Sequence, residues 1–174
     1  MKKRQESREQ AFIIVFEKQF NPDCTVDELC EIAKDAGLFE YDGFVSALAG
    51  RTYDSLDEID STIGRYLASG WKISRLSKVV LAILRLAVCE ILYFDSVPYA
   101  VSINEAVELA KKYAADQDPA FVNAVLGSAV KNLNKDGEKS ESEDVKQDFA
   151  PAVETESDSE CEENENAEAH AVIG

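Results

Sequence analysis

Four cations crowd the first nine residues, Lys2, Lys3, Arg4 and Arg8, with only Glu6 and Glu9 as acids among them. Such a cluster can neutralise phosphate groups and release their counterions. A basic N-terminus can equally stay solvated and bind nothing. Two more ionisable residues, Arg85 and Glu90, stand alone in the run VVLAILRLAVCEILYF (79–94), which is otherwise apolar or aromatic. Burying a charge is costly unless it is paired, so both are read as structural. Five positions apart, they do not share a helix face and need separate partners. Glu105 or Asn104 is the expected partner of Arg85.

Catalytic chemistry finds few seats. The only histidine is His170, near the C-terminus, and Cys24, Cys30, Cys89 and Cys161 show no metal or redox spacing. They read as free thiols of a reducing cytoplasm. No phosphate-cradling glycine loop of the Walker or GxGxxG type is present. No enzyme activity, metal or cofactor is expected.

The chain has 174 residues, enough for one domain with length to spare, and a net charge of −16. The charge is uneven. Residues 136–174 hold fourteen acids and two lysines, whereas 1–135 carry a net of only −4. The division expected is a helical binding domain at 1–135 and an acidic, disordered tail at 136–174. No apolar segment follows the basic start, so no signal peptide is expected. The run at 79–94 is shorter than the roughly 20 residues that span a bilayer. A cytoplasmic protein without membrane contact is the reading.

These residues must be positioned by helices. Ala11, Phe12, Val15 and Phe16 recur at helical spacing and predict a helix over 6–20, ended by Asn21-Pro22. Thr25 with Glu28 forms a capping box for a second helix, stopped at Gly37. Asp42 begins a third, to about Tyr53. Ser55 with Glu58 suggests a second capping box, for a helix closed by Ser69-Gly70. The apolar run predicts a fifth helix from Ser74 or Arg75 to Phe94, apolar all round and therefore surrounded by others. Ser102 with Glu105 suggests a third capping box, and Asp118-Pro119 an N-cap with proline at the first helical position. No segment alternates as a strand does, so an all-α bundle of seven helices is predicted.

Three blocks in order, AILRLAVCEIL (82–92), VPYAVSINEAVELAKKY (97–113) and FVNAVL (121–126), closely resemble the NusB family of bacterial transcription antitermination factors. SREQAFIIVF (7–16) fits that family's basic first helix, and Tyr66-Leu67 its "YL" before the Trp71 segment. The resemblance covers about residues 4–134. It implies two packed subbundles, helices one to three and four to seven. It further implies binding of the single-stranded boxA element of nascent ribosomal RNA together with the ribosomal protein NusE. Other Nus factors and RNA polymerase join indirectly, and premature termination is opposed. Family members are monomers or homodimers.

By position in the motifs, the RNA-binding candidates are Lys2, Lys3, Arg4, Arg8, Phe16, Tyr66, Phe121 and Asn123. Aromatic rings stack on unpaired bases, and four phosphate contacts imply a log–log salt slope of about −3. Each candidate has a structural alternative. Phe16 lies on the apolar stripe of its helix, Phe121 could staple the seventh helix, and Asn123 could cap a neighbour. Tyr66 is the stronger aromatic candidate, because its hydroxyl disfavours full burial. Glu105 is explained by its capping box.

The chain departs from the family at Val80-Leu81, where many members carry an acidic-basic pair, so a NusE face at Arg75, Lys78 and Val80 would be more apolar. Phe16 replaces a frequent tyrosine. Rival readings are a helical protein scaffold without an RNA role and the RNA-binding module of a ribosomal RNA methyltransferase. The latter would need an α/β cofactor domain. The acidic stretch reads as a solubilising extension, or as a competitor for Lys2–Arg8 with a reach of about 35 Å as a flexible coil. On the second reading, deleting 136–174 tightens RNA binding at low salt; an unchanged affinity in a filter-binding titration rules it out.

Overall fold

A computed structural model describes residues 2–37 and 42–136. Seven α-helices follow one another: α1 Lys2–Lys18, α2 Val26–Asp35, α3 Gly43–Asp54, α4 Leu56–Tyr66, α5 Lys78–Tyr93, α6 Tyr99–Tyr113 and α7 Asp118–Asp136. One 3-10 turn, Ile73–Arg75, precedes α5. The described residues contain no strand, and the all-α expectation holds. The acidic stretch, with Cys161 and His170, lies outside the described residues apart from Asp136.

Helices α1, α2 and α3 pack on one another, as do α4, α5, α6 and α7, and α5 also packs on α1 and α3. These are the two subbundles, with α5 as their shared spine. Eleven of its sixteen residues are buried, which is why its apolarity runs all the way round. Ile83 and Leu84 of α5 meet a core that includes fully buried Ile14, Leu48, Ile59, Ile63 and Leu126. At about 1.5–3 kcal/mol for each large side chain removed from water, this seam supplies much of the drive to fold.

Helix boundaries follow local chemistry with instructive exceptions. Helix α1 begins at Lys2, four residues before the expected start, since Lys, Arg, Gln and Glu favour helix even without apolar periodicity. The Thr25–Glu28 capping box forms in both directions, and Gly37 takes a left-handed φ of 67° just past α2. The Asp42 carboxylate caps α3 by accepting from the Phe44 amide. Helix α5 starts at Lys78 rather than near Arg75, because the Ser77 side chain accepts from the Val80 amide and sets the first turn there.

Two expected capping boxes do not form. The Ser55 side chain makes no cap bond, and Glu58 instead accepts from the Tyr93 hydroxyl at 2.6 Å. Helix α6 starts at Tyr99 after Pro98, so Ser102 and Glu105 lie inside it. Asp118 is the first residue of α7, and its carboxylate accepts from the Ala115 amide outside the helix.

The charges of α5 find separate partners, as expected from their spacing, but not the partner named for Arg85. Its guanidinium makes a two-pronged contact with Asp60 of α4, Nε to Oδ1 at 2.8 Å and Nη2 to Oδ2 at 2.7 Å. Neither Glu105 nor Asn104 takes that place: Arg85 faces α4, while Glu105 on α6 lies on the Arg8 side. Glu90 is held by Arg8 of α1, whose Nε lies 2.9 and 3.1 Å from the two carboxylate oxygens. The Ser102 hydroxyl donates to Glu90 Oε2 at 2.6 Å. That tertiary bond is what draws Ser102 away from capping.

Removing one member of this buried pair strands the other. Glu90→Ala should cost about 3–5 kcal/mol, read from urea unfolding. The double variant Arg8→Met with Glu90→Leu should cost much less than the two single truncations combined.

Candidate functional site

The first turn of α1 presents Lys3 and Arg4 to solvent, and neither enters a salt bridge among the described residues. Of Lys2 only the helical backbone is described. The Arg4 guanidinium lies 4.1 Å from the Phe44 ring centroid, and Phe44 meets Phe94 edge-on at 5.8 Å. This stack lines an open groove of about 640 Å³ with Val97, Pro98 and Val101. A guanidinium spread over a ring keeps its charge outward while its position is fixed.

Arg8 departs from the expectation of a phosphate ligand. It is buried, 7% exposed, and committed to Glu90, with Glu105 Oε2 4.0 Å from its Nη1. A guanidinium so satisfied would have to leave a buried carboxylate unpaired to reach a phosphate. The basic cluster thus divides into an exposed first turn and an internal anchor one turn later.

Ser7 and Asp42 complete the anchor. The Ser7 hydroxyl lies 2.7 Å from Asp42 Oδ2 and 2.9 Å from the Lys3 carbonyl, with one proton to share. The Phe44 amide, the Ser7 hydroxyl and the charges of Arg4 and Lys3 hold the Asp42 carboxyl below the usual aspartate value. Farther along α1, burial alone would raise Glu9, but Lys112 and the Tyr113 hydroxyl both donate to it and lower its pKa.

The aromatic candidates fall in two places. Phe16 is half-buried between Phe12, at 6.2 Å, and exposed Phe20, at 5.1 Å edge-on. Tyr66, half-buried, is the last residue of α4, and Phe121 lies in the first turn of α7 beneath Trp71, with centroids 5.6 Å apart. No ring contact joins Phe16 to Tyr66 or Phe121 among the described residues. Asn123 is exposed and its side chain caps no described helix.

Of the proposed partner face, Arg75 and Lys78 are exposed, but Val80 is buried at 3%. Its place in the first turn of α5 points it into the core, so it is no direct contact in this conformation. The Lys78 carbonyl accepts from Gln19, just past the end of α1, at 3.0 Å. Glu105, half-buried, serves the Arg8 side and caps nothing. Trp71, which marked a family segment in the sequence, is the residue that motif reading undervalued. Its signal is solitary: one tryptophan beside a Ser-Gly turn, 53% exposed.

No cluster of His, Cys, Asp and Glu that could hold a metal occurs among the described residues. Burial pushes the Cys89 thiol up to about 11, which keeps it protonated and unreactive. No described helix is long and apolar enough to cross a membrane.

The model of the NusB family matches residues 5–131. The chain belongs to the NusB family. It is 40% identical over 136 residues to a transcription antitermination protein NusB of Natranaerobius thermophilus, covering 76% of this chain and 97% of that one. A namesake from Acetivibrio thermocellus is 36% identical over 144 residues, covering 81% and 99%. Among solved structures, NusB of T. maritima superposes with a TM-score of 0.63 at 32% identity, covering 74% of this chain and 90% of that one. A chain from a crystal structure of antitermination factors NusB and NusE in complex with double-stranded RNA gives 0.66 at 27% identity, covering 76% and 98%.

The NusB match starts at Gln5, just past Lys2, Lys3 and Arg4, and takes in the Arg8–Glu90–Ser102 cluster. What holds the basic turn therefore belongs to the family region. Asp42 offers a test of that anchoring. Its lowered pKa means its stabilisation is complete above the unfolded aspartate value of about 3.9 and disappears as pH falls through the folded value. Urea midpoints measured from pH 7 down to pH 3 should fall less steeply for Asp42→Asn, which keeps a cap but does not titrate.

Proposed function

We propose that this chain is a transcription antitermination factor that binds the single-stranded boxA element of nascent ribosomal RNA together with NusE. Through that complex it joins other Nus factors on RNA polymerase and suppresses premature termination. The likeness to antitermination proteins over three quarters of the chain carries this reading. One structural neighbour, antitermination factors NusB and NusE in complex with double-stranded RNA, supports the choice of partners.

On this reading the chain works in the cytoplasm and by binding alone, without catalysis, metal or cofactor. Lys2, Lys3 and Arg4 neutralise backbone phosphates. Phe16, Tyr66 and Phe121 offer half-covered rings to unpaired bases, and Asn123 offers its exposed amide to a base edge. Arg8 acts through the fold, holding the basic turn. Arg75 and Lys78 face NusE.

Replacing Arg8 by an internal anchor changes the expected electrostatics. Three phosphate contacts in place of four imply that the N-terminal turn contributes about −2 to the log–log salt slope on a single strand. The deciding experiment titrates a labelled boxA RNA and a scrambled control with the chain, with and without NusE, at several salt concentrations. Preference for boxA that NusE strengthens is the expected result. Lys3→Ala with Arg4→Ala should flatten the slope by about 1.4, the share of two phosphate contacts. Equal binding to both RNAs, or a slope unmoved by that double variant, would sink the assignment.

A further inference from the structure

Between Ser61 and Cys89 the chain has no Asp or Glu at all, yet it carries Arg65, Lys72, Arg75, Lys78 and Arg85. For a chain of net charge −16 this is a pronounced local reversal. Arg85 is neutralised by Asp60. The other four are exposed and enter no salt bridge among the described residues.

In the middle of this stretch stands Trp71, 53% exposed despite being the largest apolar side chain type. It is not a loosely hung ring. Its amide donates to the Ala68 carbonyl at 2.9 Å, closing a tight turn in which Gly70 takes a φ of 85° that other residues rarely adopt. The following 3-10 turn is seated on α4, where the Ile73 Cδ1 methyl lies over Gly64. One face of the indole rests on Phe121 at 5.6 Å and 33°. The sequence on either side supplies positive charge, with Arg65 in the last turn of α4 and Lys72 following Trp71 directly, both exposed.

We propose that Trp71, backed by Phe121 and flanked by Arg65 and Lys72, is a stacking platform for one unpaired nucleotide of bound RNA. The inference rests on the RNA-binding reading above and adds a subsite to it. A nucleotide has two parts, a flat base and a charged phosphate. This surface offers a match for each: an exposed ring packed on a second ring, and cations that enter no salt bridge among the described residues. Stacking on a ring face tolerates every base, so the subsite takes any base and grips nucleotides beside the recognised element. The alternative occupant is an acidic protein surface, which would use the cations without needing the ring.

Trp71 is the chain's only tryptophan, so the platform reports on itself. RNA should be titrated into the full-length chain while Trp emission and its quenching by acrylamide are followed, beside the anisotropy of labelled RNA. The expected result is quenched emission and protection from acrylamide in step with RNA binding. Trp71→Ala should weaken RNA binding on the order of 10-fold without changing the salt slope, and Trp71→Phe should restore most of the loss. Circular dichroism checks that both variants stay folded. RNA binding with unaltered Trp emission would overturn the subsite and leave the RNA-binding reading standing. So would a Trp71→Ala variant that binds RNA normally but loses NusE, which would hand the surface to the protein partner. A wild-type chain that binds no RNA overturns both.

Discussion

The Arg8 guanidinium and the Glu90 carboxylate meet where α1 crosses α5, and the arrangement of the candidate site depends on that contact. Both groups are nearly removed from water, so each must find the other or remain an uncompensated buried charge. The guanidinium nitrogen sits between the two carboxylate oxygens, and Ser102 adds a second donor from α6. Three helices are thereby tied at one point, and sliding α1 along α5 by even one residue would break the set. An apolar seam alone tolerates such slippage better, because one aliphatic contact resembles the next. Here the polar cluster sets the register, and the apolar core supplies most of the energy.

The basic turn inherits its position from that cluster. One residue before Arg8, Ser7 reaches Asp42, and one turn before it, Arg4 lies over Phe44. Each contact ties the start of α1 to the start of α3, so the exposed charge of Lys3 and Arg4 is presented from a helix fixed on two sides. A flexible arm would lose conformational entropy on meeting RNA; a pre-ordered turn loses less. On the far side of α5, Arg85 and Asp60 form a second polar tie, to α4. The spine therefore carries one charge for each neighbour it must hold, on faces separated by the five-residue spacing of Arg85 and Glu90.

Much of the fold was legible because helix periodicity and stop signals are local. The apolar run at 79–94, Thr25 with Glu28, Asp42 and Gly37 all describe interactions completed within a few residues, and all formed. The failures share a different cause. Ser102 and Glu58 had the right spacing for capping boxes, but Glu90 claims the Ser102 hydroxyl and Tyr93 claims Glu58. Arg8 looks like Lys3 and Arg4 in sequence, yet its partner lies 82 residues away. Val80 was expected at a partner face because of its neighbours in the motif, while the Ser77 cap aims its turn of α5 into the core. Wherever a polar side chain had both a local and a distant use, the sequence could show only the local one.

The net charge of the chain is a poor guide to its partners for a related reason. At physiological ionic strength a charge is felt over roughly 8 Å, so a phosphate responds to the side chains beside it rather than to a total. What matters locally is which cations are already spoken for. Arg8, Arg85, Lys111 and Lys112 each have a carboxylate within salt-bridge distance. Lys3 and Arg4 at one place, and Arg65, Lys72, Arg75 and Lys78 at another, have none among the described residues. Each group has a partly uncovered ring near it in structure or in sequence: Arg4 lies over Phe44, and Lys72 follows exposed Trp71 in the chain. An acidic protein can therefore hold a polyanion if its unpaired cations are segregated from its acids, and segments such as 61–89 achieve that by excluding carboxylates rather than by accumulating lysine and arginine.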